Sequence, residues 1–208
     1  MRPTRDGELV VVHDATLART AGDPRRVDKM TRLELEQLPP PVRPLTLAQM
    51  LDRYRDSVPL LIELKDPEPH AEGLLVEDLE RHGMIEAARV QVFDPVALRR
   101  LRVRAPRLRL ASLHRRRPSA RTLDGLARLA TGVGVCHPRI DAALVAAAHA
   151  RDLTISAWTV NSAAEIGRVL SLGVDGVITD APAVAAAHVA CWDARDQVGA
   201  EALLAEAV

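Results

Sequence analysis

The chain alternates short apolar runs with longer segments whose apolar residues recur at helical spacing. Most of the runs lack strict polar alternation, which is typical of parallel strands covered on both faces. The strand candidates are 8–14, 58–65, 88–94, 108–113, 132–136, 153–160 and 173–179. The helix candidates are 46–55, 70–83, 95–105, 119–130, 140–152 and 162–173. This alternation predicts an α/β fold with a parallel sheet, and its repeat of about 20 to 30 residues fits most of a (β/α)8 barrel, a TIM barrel.

The helix predicted over 162–173 has the clearest boundaries. Ser162 is a good N-cap, Glu165 is placed to complete a capping box, and Gly173 would end the helix. The tail over about 185–208 is predicted to be helical, with a packing role for Trp192. The whole chain, 1–208, is expected to form a single, partial domain.

Polar side chains follow the apolar residues of three predicted strands: His13-Asp14 after LVVV, Glu63 and Lys65 after LLI, and Trp158 after TISA. In a parallel α/β barrel, catalytic groups lie at the carboxyl ends of the strands. A histidine titrates near neutral pH, so His13 can give or take a proton during a reaction. A purely structural role for His13 is the alternative at this point.

The segment LLIELK combines a carboxylate and an ammonium group. Strand alternation places Ile62 and Leu64 on one face, with Glu63 and Lys65 together on the other. Glutamate suits a hard divalent cation such as Mg²⁺ or Ca²⁺, and lysine can neutralise a phosphate oxygen. A partly buried Glu63–Lys65 ion pair explains the pattern equally well.

Composition and charge narrow the range of partners. The 208 residues include 28 Lys and Arg and 28 Asp and Glu, so the formal net charge is zero. A neutral chain has no general attraction to nucleic acid or anionic membranes, and no apolar run approaches the roughly 18 residues of a membrane span. The basic run HRRR over 114–117 is interpreted as a solvated loop. We therefore expect a small-molecule partner, and nothing in the sequence indicates an oligomeric state.

The cysteines, Cys136 and Cys191, form no CxxC pattern. They predict neither a disulfide framework nor a zinc site, and they suit a reducing compartment. A cytoplasmic location is the resulting expectation.

Five motifs in order resemble those of the glycerophosphodiester phosphodiesterases: TRDGELVVVHDATLART, PLTLAQML, LLIELK, WTVN and LGVDGVITDAP. The resemblance extends from residue 2 to about 184 and implies a (β/α)8 barrel that hydrolyses glycerophosphodiesters to glycerol 3-phosphate and an alcohol in a metal-dependent reaction. By this resemblance VVVHD is the return arm of a hairpin with TRDG as its turn. His13 is then one of two catalytic histidines, Glu63 a ligand of Mg²⁺ or Ca²⁺, Lys65 a phosphate contact, and Trp158 a wall of the pocket against the glycerol.

Members of that family normally begin with a strand ending in HRG, a helix containing ENT and a second strand carrying ExD, and these motifs are not in this chain. The expectation is a barrel lacking its first two strands and first helix, impaired by itself, through either a misassigned start codon or a true truncation. Two other functions stay open. One is a non-catalytic barrel remnant or phosphate-binding module. The other is a related phosphodiesterase of the phospholipase or sphingomyelinase D type.

Overall fold

The computed structural model describes the main chain of residues 1–193 and 203–206 and the side chains of residues 1–189. The chain divides into two units, Met1–Arg109 and Leu110–Val208. Each unit contains parallel strands followed by helices, which confirms the predicted α/β alternation. The single-domain prediction stays a prediction.

The first unit begins with short elements and continues with two longer βα repeats. Its elements are β1 (Arg2–Pro3), β2 (Leu9–Val10), β3 (Thr16–Leu17), α1 (Ala18–Ala21), β4 (Asp23–Arg26), α2 (Arg32–Glu36), α3 (Leu47–Tyr54), β5 (Leu61–Glu63), α4 (Pro69–Arg81), β6 (Arg89–Val92) and α5 (Pro95–Arg104).

The predicted hairpin is present at the start of this unit. Strand β1 pairs antiparallel with β2, with Arg2 opposite Val10. Gly7 has a φ of 86°, a left-handed conformation that glycine adopts without strain, and the main-chain N–H of Thr4 donates to Glu8 across the turn at 2.8 Å. The strand predicted over 8–14 is wrong in length, because only Leu9–Val10 are in β conformation.

The segment after this hairpin forms a small apolar cluster that the sequence did not predict. Val10, Leu17, Val27, Met30 and Leu35 are buried together. Burying each such side chain contributes about 1.5–3 kcal/mol, which stabilises elements too short to form alone. This cluster supports the turn that carries His13.

Strands β5 and β6 pair in parallel, with Ile62 opposite Val90. Ile62 and Leu64 are buried at 2% and 1% exposure, as the alternation predicted. Helix α3 starts at a full capping box between Thr46 and Gln49. Because Ile62 and Leu64 face the core, Glu63 lies on the opposite face of β5.

The second unit is a regular series of strands and helices. Its elements are β7 (Arg109–His114), which begins at the unit boundary, α6 (Ala120–Leu126), β8 (Gly132–Cys136), α7 (Ala142–His149), β9 (Thr154–Trp158), α8 (Ala163–Ser171), β10 (Gly176–Thr179), α9 (Pro182–Asp193) and β11 (Leu203–Glu206). Neighbouring strands from β7 to β10 pair in parallel, so their carboxyl ends lie along one edge.

Helix α8 confirms most of the predicted boundary signals. The Ser162 side chain accepts a hydrogen bond from the Glu165 main chain at 3.3 Å, and Gly173, with φ 83°, follows the helix. The predicted capping box is wrong in one half. The Glu165 carboxylate accepts from the Ser162 hydroxyl at 2.8 Å, and this contact takes the place of a bond to the Ser162 main chain.

The helical tail predicted over 185–208 is only partly correct. Helix α9 ends at Asp193, whereas Leu203–Glu206 form β11, which pairs in parallel with β10. A strand here satisfies main-chain groups along the edge of β10. The predicted packing of Trp192 lies outside the described side chains. Within the described ranges, no helix is both long and apolar enough to cross a bilayer.

Candidate active site

The turn after β2 exposes His13 to solvent, and a contact with Asp14 orients its imidazole. Its side chain is 71% exposed, and its Nδ1 lies 2.7 Å from Oδ1 of Asp14. The other carboxylate oxygen of Asp14 accepts from Nε of Arg19 at 2.7 Å. Hydrogen bonds from His13 and then from Arg19 hold the pKa of Asp14 below its ordinary value. With Nδ1 facing this carboxylate, the Nε2 atom of His13 is the one directed away from it.

Arg2 connects this turn to the end of β5. Its Nε donates to the main-chain oxygen of His13 at 3.0 Å, and its Nη1 forms an ion pair with Asp66. Asp66 directly follows Lys65 in the sequence. A single arginine side chain therefore ties the His13 turn to the segment that carries Glu63 and Lys65. No local pattern in the sequence identifies Arg2, since its two partners lie 11 and 64 positions away.

Glu63 and Lys65 lie together, as the strand alternation predicted. Lys65 Nζ donates to Glu63 Oε2 at 2.7 Å, and the two side chains are 15% and 20% exposed, lysine first. The main-chain nitrogen of Met1 donates a hydrogen bond to Glu63 O at 2.6 Å, and the main-chain N–H of Lys65 donates one to Met1 O at 3.0 Å. This pairing has the parallel ladder pattern and fixes the end of β5.

The second oxygen of Glu63 has a different environment. Oε1 is buried, and no hydrogen-bond partner for it lies among the described residues. A buried carboxylate oxygen is a suitable cation ligand. The described part of the chain, however, contains no group of three His, Cys, Asp or Glu that could hold a metal ion. Glu63 therefore fits as one ligand, and these residues do not by themselves make a divalent metal centre.

In the second unit, Trp158 ends β9 at the carboxyl edge of the strands. It is half-buried and pairs in register with Cys136 at the end of β8. A Cβ added at Gly134 would lie 3.4 Å from Trp158 Cδ1 and 2.6 Å from Leu113 Cδ2. The absence of a side chain at Gly134 thus leaves room for the indole beside β8.

The basic run over 114–117 is not simply a solvated loop. His114 is the last residue of β7, with Nε2 at 3.1 Å from the hydroxyl of Ser112, and burial lowers the pKa of its imidazole. The Arg115 guanidinium lies over the Trp158 ring, 6.0 Å from the centroid. Sequence reasoning missed these residues because a basic run looks the same whether or not its first members belong to a strand.

Asn161 connects the WTVN segment to the end of β10. Its Oδ1 accepts from Asp180 N at 2.9 Å and from the Thr179 hydroxyl at 3.2 Å, while its Nδ2 donates to Asp180 Oδ2 at 2.9 Å. Asp180 lies two residues before Pro182, at which α9 begins. Its contacts with Asn161 hold the segment that follows Trp158.

Comparison with known proteins identifies relatives along most of the chain. The family model of the glycerophosphoryl diester phosphodiesterase family matches residues 1–184. A glycerophosphodiester phosphodiesterase of Bacillus altitudinis is 31% identical over 204 residues, covering 86% of this chain and 80% of that protein. One from Bacillus subtilis strain 168 is 26% identical over 211 residues, covering 88% and 72%.

Solved structures show the same fold. An Oleispira antarctica phosphodiesterase in complex with the product sn-glycerol-3-phosphate aligns with a TM-score of 0.82 at 21% identity, over 91% of this chain and 82% of that one. A glycerophosphodiester phosphodiesterase from Parabacteroides distasonis aligns with a TM-score of 0.77 at 23% identity, over 92% and 81%. The fold is thus α/β and TIM-barrel-like, as predicted. Together with the family model and the Bacillus relatives, these findings place the chain in the glycerophosphoryl diester phosphodiesterase family, whose members are phosphoric diester hydrolases.

Proposed function

We propose that the chain hydrolyses glycerophosphodiesters to glycerol 3-phosphate and an alcohol. The observation that carries the proposal is the Asp14-held imidazole of His13 within a chain matched to the family over residues 1–184. The complex of the Oleispira antarctica phosphodiesterase with sn-glycerol-3-phosphate supports the same substrate class. The substrate is a small molecule.

His13 would act as the acid–base group. Asp14 keeps a proton on Nδ1, so that the lone pair of Nε2 can accept the proton of the attacking hydroxyl, from water or from the substrate's own glycerol. Asp14 stays ionised because His13 and Arg19 lower its pKa, and the imidazolium formed on proton transfer would be stabilised by that negative charge. Arg2 would keep the turn in place through the His13 main chain.

Lys65 would contact a phosphate oxygen as a point charge. Its bond to Glu63 Oε2 holds the ammonium group at the end of β5, at 15% exposure, where its charge is less screened than on an open surface. Trp158 would lie against the glycerol, because one indole face can cover apolar carbons without competing for hydroxyl hydrogen bonds.

The test is turnover by the purified 208-residue chain, measured as glycerol 3-phosphate released from glycerophosphoglycerol. We expect His13→Ala to lower kcat about 10²- to 10⁴-fold, the usual contribution of a general acid–base group. His70→Asn, which changes an exposed histidine of α4 in the same unit, should retain the activity. Equal activity of His13→Ala and the parent would remove His13 from the mechanism.

The same assay tests the prediction that the chain is impaired by itself. Binding of glycerol 3-phosphate without turnover would favour a phosphate-binding module.

The divalent cation, Mg²⁺ or Ca²⁺, remains a prediction of the family resemblance, supported by the buried Oε1 of Glu63. The proposed roles of His13 and Lys65 do not depend on this cation. Dialysis against EDTA tests it. Activity lost on dialysis and restored by Mg²⁺ or Ca²⁺, but not in Glu63→Gln, would support a cation at Glu63. Activity unchanged by EDTA would exclude a dissociable cation from the reaction.

A further inference from the structure

Helix α5 and the residues that follow it concentrate positive charge in a chain whose formal net charge is zero. Ala97, Leu98 and Leu101 form the buried side of this helix, packed into the first unit. The charged residues of an amphipathic helix lie on the side away from the core. Residues 99–109 include no acidic residue and carry a run of arginines: Arg99, Arg100, Arg102, Arg104, Arg107 and Arg109.

Contacts within the first unit account for only part of this charge. Nε and Nη2 of Arg100 donate to the buried carboxylate of Glu72 in α4, at 2.8 Å and 2.5 Å. The Arg104 guanidinium packs on Gly73 of α4, where an added Cβ would lie 2.7 Å from Nη1. Arg99 and Arg104 are exposed, and neither pairs with a carboxylate among the described residues. The helix dipole favours a cation only in the last turn, so it does not explain Arg99.

Two valines lie on the same outer side of α5. Val96 and Val103 are 48% and 82% exposed, and their separation of seven residues places them in line, about 10 Å apart along the helix axis. Arg99 lies between them, one turn from each. A β-branched side chain loses rotamer freedom in a helix, and at these positions little burial offsets that loss. The outer side of α5 therefore offers apolar contacts on both sides of an unpaired guanidinium.

We propose that the outer side of α5, formed by Val96, Arg99, Val103 and Arg104, is a docking surface for an acidic peptide segment of a partner protein. Carboxylates of the peptide would accept paired, charge-assisted hydrogen bonds from the two guanidinium groups, a geometry that the planar fork of arginine favours. Apolar side chains of the peptide would cover the two valines. None of these four residues takes part in the proposed hydrolysis, so this interaction is separate from that activity.

The neighbouring helix favours a narrow partner. Helix α4 packs against α5 through Glu72 and Gly73, and its exposed residues include the carboxylates of Glu77 and Glu80. A bilayer of anionic lipids or a nucleic-acid duplex is a broad surface of negative charge, which would meet these carboxylates as well as the arginines. Residues 95–109 also contain no aromatic side chain on which a base could stack. A single peptide segment can lie along α5 alone.

The test is fluorescence anisotropy of a labelled peptide that repeats Glu-Leu-Glu-Ala three times, titrated with the 208-residue chain at 50 mM NaCl. We expect saturable binding, which the double variant Arg99→Gln/Arg104→Gln weakens about tenfold or more, because it removes the charge-assisted bonds. Val103→Ser should weaken binding severalfold with no change of charge. The control Arg121→Gln/Arg128→Gln removes the same charge at exposed positions of the second unit and should bind as the parent does. The same peptide with Gln in place of Glu should not bind.

Three outcomes would overturn the proposal. One is the absence of saturable binding of the glutamate peptide to the parent. Another is an equal effect of the α5 double variant and of its control in the second unit. The third is binding of phosphatidylserine vesicles or of a DNA duplex, lost in Arg99→Gln/Arg104→Gln, without binding of the peptide, since that result would assign the surface to a different partner. Thermal unfolding of each variant at the parental temperature ensures that lost binding reflects the surface and not the fold.

Discussion

At the scale of single residues, the two oxygens of Glu63 show how one carboxylate can serve structure and function at once. Oε2 is held by Lys65 at 2.7 Å, whereas Oε1 is buried with no partner among the described residues. An unsatisfied buried polar atom costs about 1–3 kcal/mol, so the position is not optimised for stability alone. A polar atom retained at such a cost is expected where it has a role in binding.

The Glu63–Lys65 pair can be tested as a unit. Because both side chains are about four-fifths buried, at 20% and 15% exposure, removing one partner leaves the other charge poorly solvated. We expect a double-mutant cycle with Glu63→Gln and Lys65→Met to give a coupling free energy of about 1–3 kcal/mol in urea unfolding. A coupling below about 0.5 kcal/mol would instead describe a solvent-screened surface pair.

The imidazole of His114 predicts a pH dependence of stability. Burial lowers its pKa in the folded chain below the ordinary value of 6.5, so the unfolded chain binds the proton more tightly. This contribution to the free energy of unfolding should therefore be complete above about pH 6.5. It should decrease as the pH drops from about 6.5 to the folded pKa. His114→Gln, which can still bond to Ser112, should flatten the profile between pH 7 and 5 in thermal or urea unfolding. An identical slope in the variant would assign the effect to other groups.

At the scale of secondary-structure elements, the absence of a side chain at Gly134 in strand β8 leaves space beside Leu113 and Trp158. A methyl group on Gly134 would lie 2.6 Å from Leu113 Cδ2, which is too close, and 3.4 Å from the Trp158 ring. We expect Gly134→Ala to move the end of the Leu113 side chain and, because the new methyl group would lie in van der Waals contact with the indole, to shift the emission of Trp158. Gly125→Ala in α6 is the matched control, since nothing lies within 4 Å of a Cβ there and a helical alanine is favourable. Unchanged emission in Gly134→Ala would show that Trp158 does not depend on this space.

The elements that the sequence predicted well are those whose boundaries are set locally. Helix α3 begins after Thr46 and α8 after Ser162, where the capping side chain is itself the signal. The elements that it missed are two to five residues long, such as β3 (Thr16–Leu17) and α2 (Arg32–Glu36). Those are too short to display a period, and they are defined by tertiary burial of Leu17 and Leu35.

Within the candidate site, the sequence predicted only the contacts between residues of the same motif. Strand alternation correctly brought Glu63 and Lys65 together. It could not reveal that Arg2 bridges His13 and Asp66, or that Arg115 lies over Trp158. These contacts depend on register between segments distant in sequence, and a single chain carries no local sign of them.

At the scale of the whole molecule, charge balance predicts how substrate reaches the site. With 28 basic and 28 acidic residues the formal net charge is zero, so a phosphodiester feels no long-range attraction from the chain as a whole. Any attraction must come from groups at the site itself, such as Lys65, which act at distances shorter than the roughly 10 Å screening length in 0.1 M salt. We therefore expect kcat/KM for glycerophosphoglycerol to fall less than about threefold between 50 and 500 mM NaCl. A fall of tenfold or more would show steering by a charged surface and would contradict a purely local attraction. Sedimentation with phosphatidylserine vesicles at 50 mM NaCl gives the matching control, because a chain without net charge should stay in the supernatant.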